Sequence, residues 1–530
     1  MKKKAARKAA KYPVFSEKDS LLGYLNPYRN NFDVYYYKLD IDFNTAQKSI
    51  KGSVEINFRA IINLDTIQLN LRDNMKLTQI QFENTNLPFT RKLNAVYVAF
   101  NRNIRTNEKI KIRVLYEGKP LKAPRPPWEG GFVWKKDKLK NPWVGVACEK
   151  IGANIWWPLK DHNSDEPDSA SLNFTVPSGL ICVSNGKLIQ RIINSNNTET
   201  FCWNVSAPIN TYNISFYIGA FEHFSIPFDL DKGRLLNFYV LGNNLEMAKE
   251  HFKQSKEIIR FYENIYGEYP FWNDGYKLIE SPYAGMEHQT AIAYGNNYKN
   301  NKDGFDYIIL HETAHEWWGN AVSVGDYADI WIHEGFATYS EALFLEDKYG
   351  YDRYINYLSF YSILIANKKP VVGPRSVNYW DYKDSDPYLK GALMLHSLRG
   401  TIGNDSLFFD ILKSFFLKYK FTIVNSANFI EMVNEKTKSN YNWFFQQFLY
   451  NRKPARLQYK TEFNPVNHSW NLKYKWLDTD SDFKMPIDIK DGWRIKRLYP
   501  TTKELTYEIQ TIKDFSINNQ SFYFNIDRVK

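Results

Sequence analysis

The sequence predicts a multidomain α+β protein. Three observations carry that expectation. Apolar and polar residues alternate through roughly the first two hundred positions, a helical pattern runs from about 243 to about 450, and alternation returns over roughly the last 75 residues. At 530 residues, with 44% hydrophobic and 24% charged positions, the chain has the length and composition of about three folded domains. Their expected extents are a basic tail over 1–19, a mostly antiparallel β-domain over 20–228, a mainly helical domain over 229–452 and a small β-domain over 453–530.

The elements follow in order. Tyr37, Leu39, Ile41 and Phe43 alternate with Lys38, Asp40 and Asp42, the period of a half-buried strand, and the pattern recurs at Val54–Phe58 and Ile110–Tyr116. The Pro-rich piece LKAPRPPWEGG (121–131) reads as an exposed excursion. FDLDKGR (228–234) reads as a boundary. Asn243-Asn244 then stand where they can cap one long helix ending at Gly267. A short strand region, 276–295, precedes a helix bearing His311 and His315. A second helix carries Glu334 to Gly350, and further helices cover 404–419, 426–437 and 441–450.

The net charge is +11, but Lys2, Lys3, Lys4, Arg7, Lys8 and Lys11 supply six of those charges. No recognition motif accompanies them, so nucleic acid is not an expected partner. No run of 18 apolar residues exists, so no membrane span is expected. MKKKAARKAAKYP resembles a signal-peptide n-region but lacks the apolar h-region, which leaves exported and cytoplasmic locations both open. Of the three cysteines, Cys182 and Cys202 flank a hairpin-like stretch. Unpaired thiols fit so small a number better than a disulfide framework.

The stretch His311-Glu312-Thr313-Ala314-His315 carries the chemistry. Four residues apart on a helix, the two imidazoles share a face and can reach one ion. Glu312 sits beside them, placed to act on a metal-activated water without being a ligand. A zinc site needs a third protein ligand and one open position, and Glu334, nineteen residues after His315, is available as that ligand. Such a site hydrolyses amides or esters, without distinguishing a cut inside a chain from removal of its end. Glu287, just before the metal helix, has two readings: a solvated surface carboxylate, or an anion facing a substrate's α-ammonium.

The order AGMEH, HETAHEWWGN, WIHEGFATYSE, PYLKGA resembles the gluzincin aminopeptidase family of aminopeptidase N and leukotriene hydrolase, over roughly residues 20–530. The resemblance implies an N-terminal β-saddle, a thermolysin-like catalytic domain and a small C-terminal β-sandwich. The large C-terminal helical domain of many relatives is not expected here, and self-association or a partner could take its place. It also implies one Zn2+ per chain on His311, His315 and Glu334. Glu312 matches the general base, Tyr388 the oxyanion donor, and Ala284, Gly285, Met286 and Glu287 the loop that binds a free N-terminus. VACEKIGANIWWPLKDHNSDEP resembles the family's second amine-binding block, which falls on Glu149, though the preceding Gln and the usual Arg are absent. Glu341 matches a carboxylate that braces a ligand. His288 and His333 replace the asparagines usual in the family. Adjacent to Glu334 on a helix, His333 should point about 100° away from the metal.

The resulting expectation is a zinc aminopeptidase acting on peptides with a free N-terminus. Its rivals are an endopeptidase or epoxide hydrolase of the same fold, and a catalytically silent peptide-binding scaffold. Glu287 and Glu149 weigh against the endopeptidase. Retention of His311, Glu312, His315, Glu334 and Tyr388 weighs against the scaffold.

Overall fold

The computed structural model describes residues 12–529 apart from 382, 467, 510 and 511. Most of the basic tail expected over 1–19 lies outside the described residues. Residues 17–23 form a short helix, started by a reciprocal Ser16–Asp19 capping box.

The alternating segments become strands with their apolar positions facing inward. Phe32–Asn44 buries Tyr37, Leu39, Ile41 and Phe43, pairs antiparallel with Ser49–Ala60 and runs parallel to Ser169–Pro177. These three strands centre an eight-stranded sheet. A three-stranded sheet (Leu64–Asn70, Ala95–Ile104, Phe89–Lys92) and a four-stranded sheet complete the β-domain, and in the latter Gly131–Lys136 pairs with Pro142–Ala147. One aromatic-rich core runs through all three sheets.

The stretch 228–234, expected as a boundary, is the turn of a hairpin between Phe221–Asp229 and Arg234–Leu241. Both strands belong to a five-stranded sheet with Tyr276–Glu280, Ile292–Tyr294 and Gly285–Met286, against which the helical region packs. A charged, Gly-containing turn looks the same inside a hairpin as between domains.

The helix expected to run unbroken to Gly267 is two, Leu245–His251 and Gln254–Tyr266. Asn244 does not cap the first, since its side chain donates to Glu280 instead. At the break His251 and Gln254 both turn to Asp306, the residue that caps the metal helix. The segment expected as a helix over 441–450 is a four-residue α-turn, Asn442–Phe445, continued by a wider turn over Gln446–Tyr450.

The C-terminal strands form a four-stranded and a three-stranded sheet. Their core is continuous with that of the helical region, so this β-unit is built onto it. Tyr523 N–H donates to Ser397 Oγ and Arg497 to Gly400 O across the junction. Cys148, Cys182 and Cys202 are free thiols. Cys182 and Cys202 sit on strands of different sheets, Ile181–Ser184 and Thr198–Val205. Among the described residues no helix is long and apolar enough to cross a membrane.

Candidate active site

The metal helix, Tyr307–Ala314, starts at Asp306, whose carboxylate accepts the Ile308 N–H. One turn apart, His311 and His315 bring their Nε2 atoms to 3.1 Å of each other. The helix Trp331–Tyr349 adds Glu334, whose Oε2 lies 3.5 Å from His311 Nε2 and 3.4 Å from His315 Nε2. All three residues are buried, and among the described residues they are the one group whose ligand atoms could share an ion.

The donor set fits a metal on two counts. His311 Nδ1 donates to Glu341 Oε1 at 2.6 Å and His315 Nδ1 to Trp318 O at 2.9 Å. Both imidazoles are thereby fixed with Nε2 lone pairs facing one point. Glu334 Oε2, buried there without a hydrogen-bond partner, is the third donor. Two nitrogens and one oxygen in this arrangement suit zinc.

Glu341 is braced in turn by the hydroxyls of Tyr357 and Tyr361. It therefore supports His311 from the neighbouring helix rather than Glu334 on its own. Glu341→Gln is expected to weaken zinc binding by about 10–100-fold while the fold is retained. Competition with a fluorescent chelator measures this, and unchanged affinity would remove Glu341 from the role.

Ala284, Gly285, Met286, Glu287, Glu149, His311, Glu312, His315, Glu334 and Tyr388 line one cleft of about 150 Å³. Gly285 is needed where it stands: a Cβ there would lie 2.5 Å from Glu312 Oε1. Glu312 projects into the cleft with its carboxyl pushed up to about 8, chiefly by burial and against the pull of both histidines.

Tyr388 opens the helix Asp386–Ile402. That helix crosses the Glu334 helix at Gly335 and Gly391, where a Cβ on either would come within about 3 Å of the other's backbone. The contact sets the Tyr388 ring against His311, with centroids 6.2 Å apart and planes 18° from parallel. Burial and the Glu334 carboxylate both push the phenol up, so its O–H stays protonated.

Glu287 and Glu149 approach the cleft from different domains. Glu287 Oε1 accepts from Tyr212 Oη at 3.0 Å, and its carbonyl accepts from Asn320 Nδ2 at 2.8 Å. Glu149 Oε1 is buried without a partner. Burial raises both carboxyls, and for Glu149 the Glu287 charge adds to it. Two buried acids share this corner of the cleft, and a cation placed between them would relieve both.

The two residues that depart from the family pattern do not line the cleft. His288 is buried, its Nδ1 2.6 Å from Tyr217 Oη. His333 Nε2 accepts the Val324 N–H at 3.0 Å, which spends the lone pair a metal would need. Burial pushes each down to about 3, so both are neutral. Sequence reasoning missed Tyr212, Asn320 and Trp380, the last stacked 6.1 Å from Tyr388. Asn320 stands inside the quoted HETAHEWWGN, but no local pattern marks Tyr212 or Trp380.

Residues 250–448 match the model of the peptidase family M1 domain. Leucine aminopeptidase 2-1 of Scheffersomyces stipitis is 25% identical over 320 residues, 55% of this chain and 49% of that protein. Leucine aminopeptidase 2 of Aspergillus terreus is 25% identical over 392 residues, 66% of this chain and 60% of that protein. The chain thus spans about half the length of the curated relatives it matches. The crystal structure of a variant M1 zinc metallopeptidase from Deinococcus radiodurans, bound to a Tyr-Ser-Ala substrate, matches with a TM-score of 0.66 at 21% identity, over 80% of this chain and 95% of that one. At that identity the likeness is one of fold.

Proposed function

We propose that this chain is a zinc-dependent aminopeptidase that removes N-terminal residues from peptides. The observation that carries the reading is the pairing, in one cleft, of a two-imidazole, one-carboxylate metal set with two buried acids. The metal set alone would serve any hydrolase of this fold. The acid pair restricts it to substrates bringing a positive charge next to the bond that breaks.

Zinc bound by His311, His315 and Glu334 supplies Lewis acidity and lowers the pKa of a water to about 7. Glu287 and Glu149 accept N–H bonds from the α-ammonium and so fix the first residue. Tyr212 holds the Glu287 carboxylate in place for that contact. Glu312 takes a proton from the attacking water and returns it to the leaving amine nitrogen. Tyr388 Oη donates to the carbonyl oxygen as negative charge grows there.

Hydrolysis of aminoacyl amides, each paired with its N-acetylated twin, tests this. Acetylation removes the charge and leaves both acids buried and unpaired, so kcat/KM is expected to fall by about 10²-fold or more. A chelator should abolish the remaining activity, and added Zn2+ should restore it. Equal cleavage of the acetylated twins would instead make the enzyme an endopeptidase and free Glu287 from its role.

A further inference from the structure

We propose that the cleft takes an N-terminal residue with a large aromatic side chain, seated against the exposed indole of Trp128. This rests on the aminopeptidase reading and names the substrate class for the same site.

Once the metal set, Glu312, Tyr388, the loop 284–286 and the two amine-binding acids are assigned, what remains of the cleft lining is Pro127, Trp128, Lys150, Tyr307, Ile308 and Trp380, half of it aromatic. Pro127, Trp128 and Lys150 come from the same domain as Glu149. The loop bearing Trp380 is tied to that turn, since Asn378 Nδ2 donates to Lys150 O at 2.8 Å. The Lys150 charge is answered by the neighbouring Asp381 and Glu149 carboxylates, so the recess is mainly aromatic in character.

Of the 15 tryptophans, only Trp128 and Trp493 are exposed, Trp128 by 56%. Trp128 stands on the Pro-rich excursion, which is not a loose loop. Ala123 N–H donates to Phe132 O, Phe132 N–H to Leu121 O and Glu129 N–H to Arg125 O, at 3.0, 2.7 and 2.9 Å. The strand that follows, Gly131–Lys136, pairs with Pro142–Ala147, whose continuation is Glu149. An exposed indole is thus held in fixed relation to an amine-binding acid. Trp380, on the same cleft lining, is stacked on Tyr327 and Tyr388, with centroids 6.3 and 6.1 Å away. A flat side chain entering here covers the Trp128 face and gains an offset ring contact. An alanine or glutamate side chain leaves that face in water.

The test uses the zinc-loaded full chain and 4-nitroanilides of Phe, Tyr, Leu, Ala and Glu, with calorimetric titration of l-phenylalanine amide and l-alanine amide. Phe and Tyr are expected to exceed Ala and Glu by at least about tenfold in kcat/KM. Trp128→Ala should collapse the Phe-to-Ala ratio by about tenfold, mainly through KM, and Trp128→Phe should recover most of it. A best substrate that is small or acidic, or a Phe-to-Ala ratio that Trp128→Ala does not move, would overturn the proposal. Absence of turnover on every free-amine substrate would instead sink the aminopeptidase reading. The calorimetric preference still decides the pocket in that case: lost in Trp128→Ala it supports the aromatic seat, and absent from the wild type it refutes it.

Discussion

Glu312→Gln is expected to lower kcat by about 10²–10⁴-fold while zinc content stays at one ion per chain and KM changes little. The substitution keeps the volume and planarity of the side chain, which matters because Gly285 packs directly against this carboxyl. It removes only the capacity to accept a proton. Glu312 shares the cleft with the metal set but is not among the three residues whose ligand atoms converge. Its neutral replacement should therefore leave the ion bound. Metal analysis and steady-state kinetics on the same preparation separate the two effects. A loss below about tenfold would mean that another carboxyl, Glu287 or Glu149, takes the proton. Loss of zinc together with activity would mean that Glu312 helps hold the ion.

How much of this was legible in the sequence depends on how local each feature is. Helical spacing alone puts His311 and His315 on one face, and period-2 alternation gives the strands centred on Leu39, Ile56 and Ile112 with the right faces inward. Glu334 needs a second helix to return, which spacing permits and the structure shows. Glu149 reaches the cleft from another domain, 162 residues before His311, and only the resemblance to a family pattern pointed to it. Tyr212 is one of 37 tyrosines, 75 residues from the carboxylate it bonds, and nothing in its neighbourhood distinguishes it. Trp128 was visible as part of an exposed Pro-rich piece, yet which cleft it overlooks is fixed by strand pairing that periodicity does not encode. The same gap explains the hairpin turn at 230–233. A turn signal is local, whereas the sheet that each flanking strand joins is decided by contacts across the chain.

Tyr388→Phe separates the role of one oxygen from the packing that carries it. The ring is held by its stacks on His311 and Trp380 and by the helix crossing at Gly335 and Gly391, none of which involves the hydroxyl. Phenylalanine should therefore keep the site's shape and its zinc. What it removes is a donor that burial and the Glu334 charge keep protonated, and which the proposed mechanism aims at the oxygen on which charge develops during attack. Losing one such donor costs about 2.7–4 kcal/mol, so kcat should fall by about 10²–10³-fold with KM nearly unchanged. A rise in KM at constant kcat would place Tyr388 in ground-state binding instead. Because Tyr388 and Glu312 act on the same attack, Glu312→Gln combined with Tyr388→Phe should lose less than the product of the single losses. Full multiplicativity would mean that the two residues serve separate steps, with the hydroxyl acting after the proton has moved.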